Sequence, residues 1–267
     1  MNLGAIQKPK DKRDFILGKV QAPIEIPPSF LPDNSWLIRN YQGQTPSCGA
    51  HAGTHFKVIL NLYTDLVKGR KTPRYGYIKL KDPKSPVYDG YPIDAGTDMR
   101  SIFKWLQVCG ADDFEPLEND ITLPLEKYCD PSVITPDMDI NAGQSKIKSY
   151  VFTNPYINDI KQAIYQNKAV ILLIKCDDGF WGSNTPVFTT PKYGHFVVAD
   201  GYDENGIRII DSADPNIGVK TILNKYERFI IEAGTAIDLP DEVVYNLKQQ
   251  VNLLQKVVLL LKKLLGL

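Results

Sequence analysis

The chain has 267 residues, of which 43% are hydrophobic and 10% aromatic, and its 31 basic side chains balance 31 acidic ones. This composition is typical of a globular protein with a substantial core and excludes a disordered chain. Because no net positive charge attracts phosphate groups, we expect no nucleic-acid partner.

The N-terminus, MNLGAIQKPKDKRDF, lacks the apolar segment of a secretory signal, and the longest apolar run, Val257 to Leu261, is too short for a membrane span. We therefore expect a protein that is cytoplasmic or part of a larger particle. Its four cysteines, spaced by 61, 20 and 47 positions, match neither a zinc ribbon nor a CxxC redox motif. No metal and no cofactor is predicted, and disulfide formation stays open.

The first half of the chain favours helices. Residues 1–40 are rich in proline and charge, which predicts an extended N-terminal arm. Apolar residues at helical spacing predict a long helix that begins at or just before Cys48 and stops at Gly69. A second helix is predicted over 97–109, and the Tyr-, Pro- and Gly-rich segment between the two helices is predicted to be a loop.

The second half favours strands. Residues 111–145 are predicted to be irregular, SYVFT a strand and NPYINDIKQAIYQNK a helix. Four β-rich runs follow, punctuated by Gly and Asp: AVILLIKC, HFVVADGY, GIRIID and ERFIIEA. Helices followed by strands predict an α+β protein with two lobes.

The last residues differ in kind. Residues 241–265 contain a heptad seam of Val and Leu, and further leucines widen its apolar face. This pattern predicts an amphipathic, coiled-coil-like helix. We expect it to mediate homo-oligomerisation or docking onto another surface or partner.

Four residues with catalytic chemistry follow one another along the chain: Gln42, Cys48, His195 and Asp211. Each has an ordinary interpretation, such as a core cysteine or a turn aspartate. Together they form a plausible centre, because a thiol at a helix N-terminus and beside an imidazole ionises readily. Asp211 could fix the imidazole tautomer, and Gln42 with the Cys48 N–H could stabilise an oxyanion.

The same residues carry a resemblance to a known family. QGQTPSCGAHA is similar to the glutamine and nucleophile segments of papain-like cysteine peptidases, especially their prokaryotic and phage-type branch. RDF with PPSFLP, DAGTDMRSIFKWLQVCGADDFE and INDIKQAIYQNKAVILLI extend the resemblance over most of residues 13–232. It implies a two-lobed fold in which Gln42 lies in the oxyanion hole, Cys48 is the nucleophile and His195 the general base and acid.

The sequence departs from that family in places. Asp211 in DSADPNIG stands where the family usually has Asn in an NSWG motif, and the tryptophan that shields this residue is absent. HFVVADGYDENG with DSADP also resembles bacteriocin-processing peptidase domains, which share the order Gln, Cys, His, Asp. Those domains are shorter, so the 147 residues between Cys48 and His195 favour the papain-like branch.

Two further motifs have weaker functional interpretations. His51 and His55 form an HxxxH pair, but Ala52 replaces the glutamate of a zincin, so packing or a hydrogen bond is favoured over a metal site. Phe180 and Trp181 lie in a long strand connection, where they could line a substrate cleft or pack in the core.

The predicted organisation is therefore an arm (1–40), a papain-like catalytic domain (41–238) and a C-terminal helix (239–267). Two functions are compatible with it. One is a cysteine peptidase acting on a peptide or protein through a thioacyl-enzyme on Cys48. The other is a catalytically silent structural or assembly protein that acts through its C-terminal helix. Nothing in the sequence indicates which substrate is cleaved.

Overall fold

A computed structural model describes residues 4–9, 11, 14–64 and 69–237. Its helices are α1 (Leu17–Val20), α2 (Cys48–Thr64), α3 (Pro73–Lys81), α4 (Met99–Val108), α5 (Leu125–Tyr128), α6 (Pro136–Gly143) and α7 (Ile157–Asn167). Its strands are β1 (Ala5–Ile6), β2 (Thr97–Asp98), β3 (Tyr150–Thr153), β4 (Val170–Cys176), β5 (Tyr193–Tyr202), β6 (Gly206–Ile210), β7 (Val219–Leu223) and β8 (Ile230–Ala236).

The strands from Tyr150 onward form one antiparallel sheet of six strands in the order β3-β8-β4-β5-β6-β7. Helices α2, α3 and α4 all precede this sheet in the chain. The predicted α+β architecture, with helices before strands, is therefore confirmed. A separate two-stranded parallel pair, β1 with β2, ties the N-terminal arm to the helical half.

Each face of the sheet carries a hydrophobic core. On one face, Phe56 of α2 and Phe103 of α4 belong to the same buried cluster as Leu173 and Phe196 of the sheet. On the other face, α7 contributes to a second cluster with β4, β5 and β6. Because β4 is covered on both faces, it is a nearly continuous apolar run rather than an alternating one.

The main helices lie close to their predicted positions. α2 begins at Cys48, and α4 lies within the predicted range 97–109. The side chain of Asp98 caps α4 by accepting a hydrogen bond from the Ser101 N–H at 3.1 Å. α7 ends at Asn167, and Lys168 takes the left-handed conformation that closes a helix.

The prediction of a loop between the first two predicted helices is wrong, because this segment contains α3. Proline occupies the first turn of this helix, where its missing N–H costs nothing. Gly76, inside the helix, is needed because a Cβ there would lie 2.2 Å from the Trp105 ring. The glycine marks a place where two helices pack closely, but in the sequence alone it resembles a loop signal.

Smaller elements were also missed. Residues 111–145 contain α5 and α6 rather than only irregular chain, and the arm contains the single turn α1. Strand β7 was not predicted because its inward-facing position is occupied by Lys220, while Val219 is exposed. A half-buried strand is identified by apolar residues that alternate with polar ones, and a lysine at an inward-facing position inverts this alternation.

The predicted C-terminal helix over 239–267 lies outside the described residues. Among the described residues, no helix is long and apolar enough to cross a membrane.

Candidate active site

Three chain segments bring the predicted catalytic residues together. Cys48 is the first residue of α2, His195 lies near the start of β5, and Asp211 directly follows β6. All three residues are completely buried. The hairpin of β5 and β6 is what brings Asp211 to His195, 16 positions earlier in the chain.

The imidazole of His195 connects the other two side chains. Its Nε2 is 2.8 Å from Oδ1 of Asp211, while Nδ1 is buried and bound to no other oxygen or nitrogen of the described residues. Burial lowers the pKa of His195, but hydrogen bonds to Asp211 and Cys48, and their negative charges, raise it to about 9. The imidazole is therefore held as a cation beside the thiol at neutral pH.

The Asp211 carboxylate is itself held at both oxygens. Oδ1 also accepts from the Ala213 N–H at 2.9 Å, and Oδ2 accepts from the Asp214 N–H at 3.2 Å. The Lys220 ammonium is 3.1 Å from Oδ2. Burial raises the pKa of Asp211, but the bonds to His195 and the nearby cations lower it below its ordinary value overall. Asp211 is therefore an ionised acceptor.

Gln42 is anchored to the same loop. Its backbone N–H donates to Ser212 O at 2.8 Å, and its Oε1 accepts from the Ser212 hydroxyl at 2.8 Å. Its Nε2 donates one hydrogen to Thr45 O at 3.0 Å. The side-chain amide is thus rigidly oriented, and a second N–H remains on Nε2 for another acceptor.

Asn216, the other candidate partner for His195 in the loop after β6, does not reach the imidazole. Its N–H donates to Oδ1 of Asp214 at 3.0 Å, so it helps to shape the turn.

The aromatic pair Phe180 and Trp181 packs around His195. Ring centroids lie 5.7 Å and 6.2 Å from the imidazole centroid, respectively. Phe180 is fully buried and packs edge-on against the imidazole ring, which it shields. The predicted substrate contact stays a prediction for both residues, of which Phe180 is buried and Trp181 half-buried. Together the rings supply the shielding for which the sequence showed no tryptophan after Asp211.

The N-terminal arm covers the site. Gly4, at φ +64°, accepts a hydrogen bond from the Thr97 N–H, and a Cβ on it would lie 2.2 Å from the carbonyl oxygen of Pro46. A Cβ on Gly194, next to His195, would lie 2.7 Å from the carbonyl oxygen of Ala5. Residues 4–6 therefore pass between the segment before Cys48 and the segment before His195, which accounts for the burial of both.

The two histidines of the HxxxH pair are buried and hydrogen-bonded. His51 Nδ1 contacts Ser47 and its Nε2 lies 3.3 Å from Asn119 Nδ2, whereas His55 Nε2 accepts from the Asn40 N–H at 3.0 Å. Burial lowers the pKa of His51 to about 4 and that of His55 to about 3. Both are neutral structural groups at physiological pH. The described residues contain no cluster of His, Cys, Asp and Glu that could hold a metal ion.

The fold is similar to that of solved cysteine proteases. Xylellain, a cysteine protease from Xylella fastidiosa, superposes with a TM-score of 0.72 at 17% identity, covering 90% of this chain and 97% of that one. Cathepsin B S9 in its pro form, from Trypanosoma congolense, gives 0.61 at 13% identity, covering 80% and 79%. Bromelain from Ananas comosus, in complex with the inhibitor E-64, gives 0.58 at 13% identity, covering 79% and 99%. No protein-family model and no curated protein matches the chain.

The chain has a papain-like fold. The resemblance seen in the sequence is confirmed at the level of the fold, and it extends over nearly the whole described chain. The local resemblance to bacteriocin-processing peptidase domains stays a sequence observation.

Sequence reasoning missed two charged residues of this site. Lys220 reaches Asp211 from β7, and Arg39, at the end of the arm, donates to the backbone oxygens of Asp211, Asp214 and Pro215. Neither residue belongs to a motif. In the sequence, Lys220 is a lysine inside a short β-rich run, and such a lysine is ordinarily interpreted as a surface residue.

Proposed function

We propose that this protein is a cysteine peptidase that hydrolyses peptide bonds through a thioacyl-enzyme on Cys48. The observation that carries the proposal is the buried chain of Cys48, His195 and Asp211, in which a carboxylate orients an imidazole that faces a thiol. Three groups with these roles at hydrogen-bonding distance are the requirement for nucleophilic acyl transfer.

The mechanism follows from the roles of these groups. The Cys48 thiolate attacks the substrate carbonyl, and the resulting oxyanion accepts hydrogen bonds from the Cys48 N–H and the second N–H of Gln42 Nε2. Protonated His195 then donates its proton to the leaving amine as the C–N bond breaks. A water molecule, deprotonated by His195, attacks the thioester and releases the acid and the thiol. Asp211 accepts from His195 throughout and keeps the tautomer fixed.

Substrate entry requires movement of the N-terminal arm. Residues 4–6 cover the site from which the thiol would attack, so a peptide or protein substrate would take the place of these residues between Pro46 and Gly194. Edge pairing with β2, as β1 makes now, is a general way in which proteins hold extended peptides.

The test uses matched cysteine variants. Cys48→Ala should abolish hydrolysis of a fluorogenic peptide panel and labelling by E-64 or iodoacetamide at mildly acidic pH. Cys109→Ala and Cys176→Ala are the controls and should keep both, since one thiol is half-buried elsewhere and the other has its pKa raised by burial. Hydrolysis that persists in Cys48→Ala would refute the mechanism.

The same experiment separates the peptidase from the silent assembly protein. Stoichiometric alkylation of Cys48 at a pH where ordinary thiols are protonated requires an ion pair with His195. A catalytically silent assembly protein does not require this ion pair. An intact and ionised His195–Asp211 pair favours catalysis.

Self-association through residues 241–265 is an additional proposal, supported by their heptad pattern alone. Light scattering should show a larger particle for the full chain than for a variant truncated after Leu239. A full-length monomer at tens of micromolar would contradict it.

A further inference from the structure

Lys220 is a fully buried lysine beneath the catalytic residues. It lies on β7, paired with Ile209 of β6, and only 1% of its surface is exposed. Lysine is rarely buried to this extent unless its charge is paired, because removing an ammonium group from water is costly. Its partners therefore indicate what it does.

Three oxygen atoms surround the ammonium, two as hydrogen-bond acceptors and one as an ion-pair partner. Nζ is 3.1 Å from Oδ2 of Asp211, 3.0 Å from Oδ2 of Asp214 and 2.6 Å from the carbonyl oxygen of Phe180. Two of these partners come from the loop after β6 and one from the connection before β5. Lys220 thus joins the acceptor of the catalytic histidine to the aromatic segment that packs on that histidine.

We propose that Lys220 is a positioning residue of the catalytic centre, which fixes the Asp211 carboxylate and the Phe180–Trp181 segment around His195. This assignment rests on the peptidase function proposed above. It adds a cation to the Cys, His and Asp arrangement, in contact with the oxygen of Asp211 that does not face the imidazole.

Lys220 restricts the orientation of the Asp211 carboxylate. The two oxygens of Asp211 have different partners: Oδ1 faces His195 and Oδ2 faces Lys220. Rotation of the carboxylate would break the contact with Lys220 as well as the one with His195. Lys220 therefore restricts Asp211 to the orientation that keeps the imidazole in place.

Lys220 also contacts the aromatic pair Phe180 and Trp181. The Lys220 ammonium lies 4.0 Å from the centroid of the Phe180 ring and 5.2 Å from that of Trp181, in cation–π geometry. Asp214, its second carboxylate, also accepts from the Gly182 N–H at 3.0 Å. The Lys220–Asp214 ion pair thus holds residues 180–182 at two points: Lys220 binds the Phe180 carbonyl oxygen, and Asp214 binds the Gly182 N–H.

Lys220 also balances charge in the cluster. Asp211 and Asp214 contribute two negative charges, while Lys220 and protonated His195 contribute two positive ones. Lys220 therefore offsets part of the negative field that stabilises the imidazolium, and its removal should make His195 harder to deprotonate. Arg39, Cys176, His51 and His55 are further titratable groups near this cluster.

Those other groups do not replace Lys220. Arg39 contacts the backbone oxygens of the loop rather than the carboxylates. Burial raises the pKa of Cys176 and lowers those of His51 and His55, so these three are neutral near pH 7. The remaining charge facing His195 is the Cys48 thiolate of the proposed ion pair.

The experiment measures the pKa of His195 by NMR titration, which is practical because the chain has only three histidines. Lys220→Met should raise the protonation constant of His195 roughly tenfold, as expected for losing a unit charge at this range. Lys161→Met is the matched control, because among the described residues this buried lysine donates only to the carbonyl oxygen of Asp203, and its loss should leave the pKa of His195 unchanged.

A double variant separates charge from structure. In Lys220→Met/Asp214→Asn one positive and one negative charge are both removed, so the His195 pKa should return toward its original value. The His51 and His55 signals report whether the fold is intact. If Lys220→Met does not fold, Asp214→Asn alone should lower the His195 pKa, because Lys220 is then less neutralised.

Kinetics complete the test. With a peptide substrate, Lys220→Met should reduce kcat about tenfold with little change in KM. The alkaline limb of its pH–rate profile should move to higher pH. A His195 pKa equal in Lys220→Met and Lys161→Met, or one that the double variant does not restore, overturns the proposal. Absence of hydrolysis and of Cys48 alkylation in the unmodified protein would instead refute the peptidase function, and the NMR comparison would still decide the role of Lys220.

Discussion

The helix α2 and the hairpin of β5 and β6 each bury histidine completely, with opposite electrostatic results. On α2, burial lowers the pKa of His51 to about 4 and that of His55 to about 3. On β5, the pKa of His195 is raised to about 9. The difference lies in the partners: His51 and His55 contact neutral groups, whereas His195 contacts an ionised carboxylate and a thiol. Burial by itself lowers the pKa of a histidine, and at His195 the adjacent Asp211 and Cys48 outweigh it.

Removing the charge of Asp211 should change the pKa difference between His195 and the two histidines of α2 most strongly. Asp211→Ala should leave the imidazole without its charged acceptor, so the pKa of His195 should fall below 6.5 and kcat should fall by about 10³ to 10⁴. Steady-state kinetics and NMR titration measure the two effects on one sample. Asn216→Ala is the control, because its side chain is not bonded to His195. A variant with full activity would show that Asp211 does not orient the imidazole.

Acid unfolding should sharpen the contrast. Below pH 6.5 the unfolded chain protonates His51 and His55 while the folded protein keeps them neutral, so stability falls as the pH approaches 4 and then 3. Stability should fall by about 3 kcal/mol for His51 and by about 5 kcal/mol for His55 once the pH is below the folded pKa of each. Urea unfolding at successive pH values measures this, and His55→Gln should flatten the slope between pH 6.5 and 3.

The contribution of His195 runs the other way. Its stabilising effect is complete below pH 6.5, the unfolded value, and is lost as the pH rises toward 9. His195→Gln should therefore flatten the unfolding profile on the alkaline side only. An acid-side change in that variant would contradict the partner-based explanation.

A carboxylate placed beside His51 should make it resemble His195. Asn119 lies 3.3 Å from His51 Nε2, so Asn119→Asp should raise the protonation constant of His51 at least tenfold. Thiol alkylation of Cys48 should change little. NMR titration checks the first expectation, and an unchanged His51 pKa would mean that desolvation outweighs an adjacent charge here.

The smallest expected effect concerns how each histidine is buried. Core side chains cover His51, whereas arm residues 4–6 cover His195. Gly4→Ala should displace the arm, because the new Cβ would clash with Pro46 and φ +64° is unfavourable for alanine. We expect a several-fold faster alkylation of Cys48. Gly18→Ala, which meets no atom within 4 Å, is the control, and equal rates in the two variants would show that the arm does not restrict access.

Local patterns sufficed for much of this molecule. The start of α2 at Cys48 and the helix α7 follow from apolar spacing and from stop signals that act within a few residues. The pairing of His195 with Asp211 was also predictable, since a short hairpin brings a strand start and the end of the next strand together. These features depend on contacts close in sequence.

Tertiary structure alone decided the rest. Gly76 suits a helix only because Trp105, far along the chain, packs where its side chain would be, and Phe180 is a shield only because it meets His195. Lys220 reads as a surface residue until Asp211, Asp214 and the carbonyl of Phe180 surround its ammonium. A buried charge is stable only when partners from several segments converge on it, and no local pattern records that convergence.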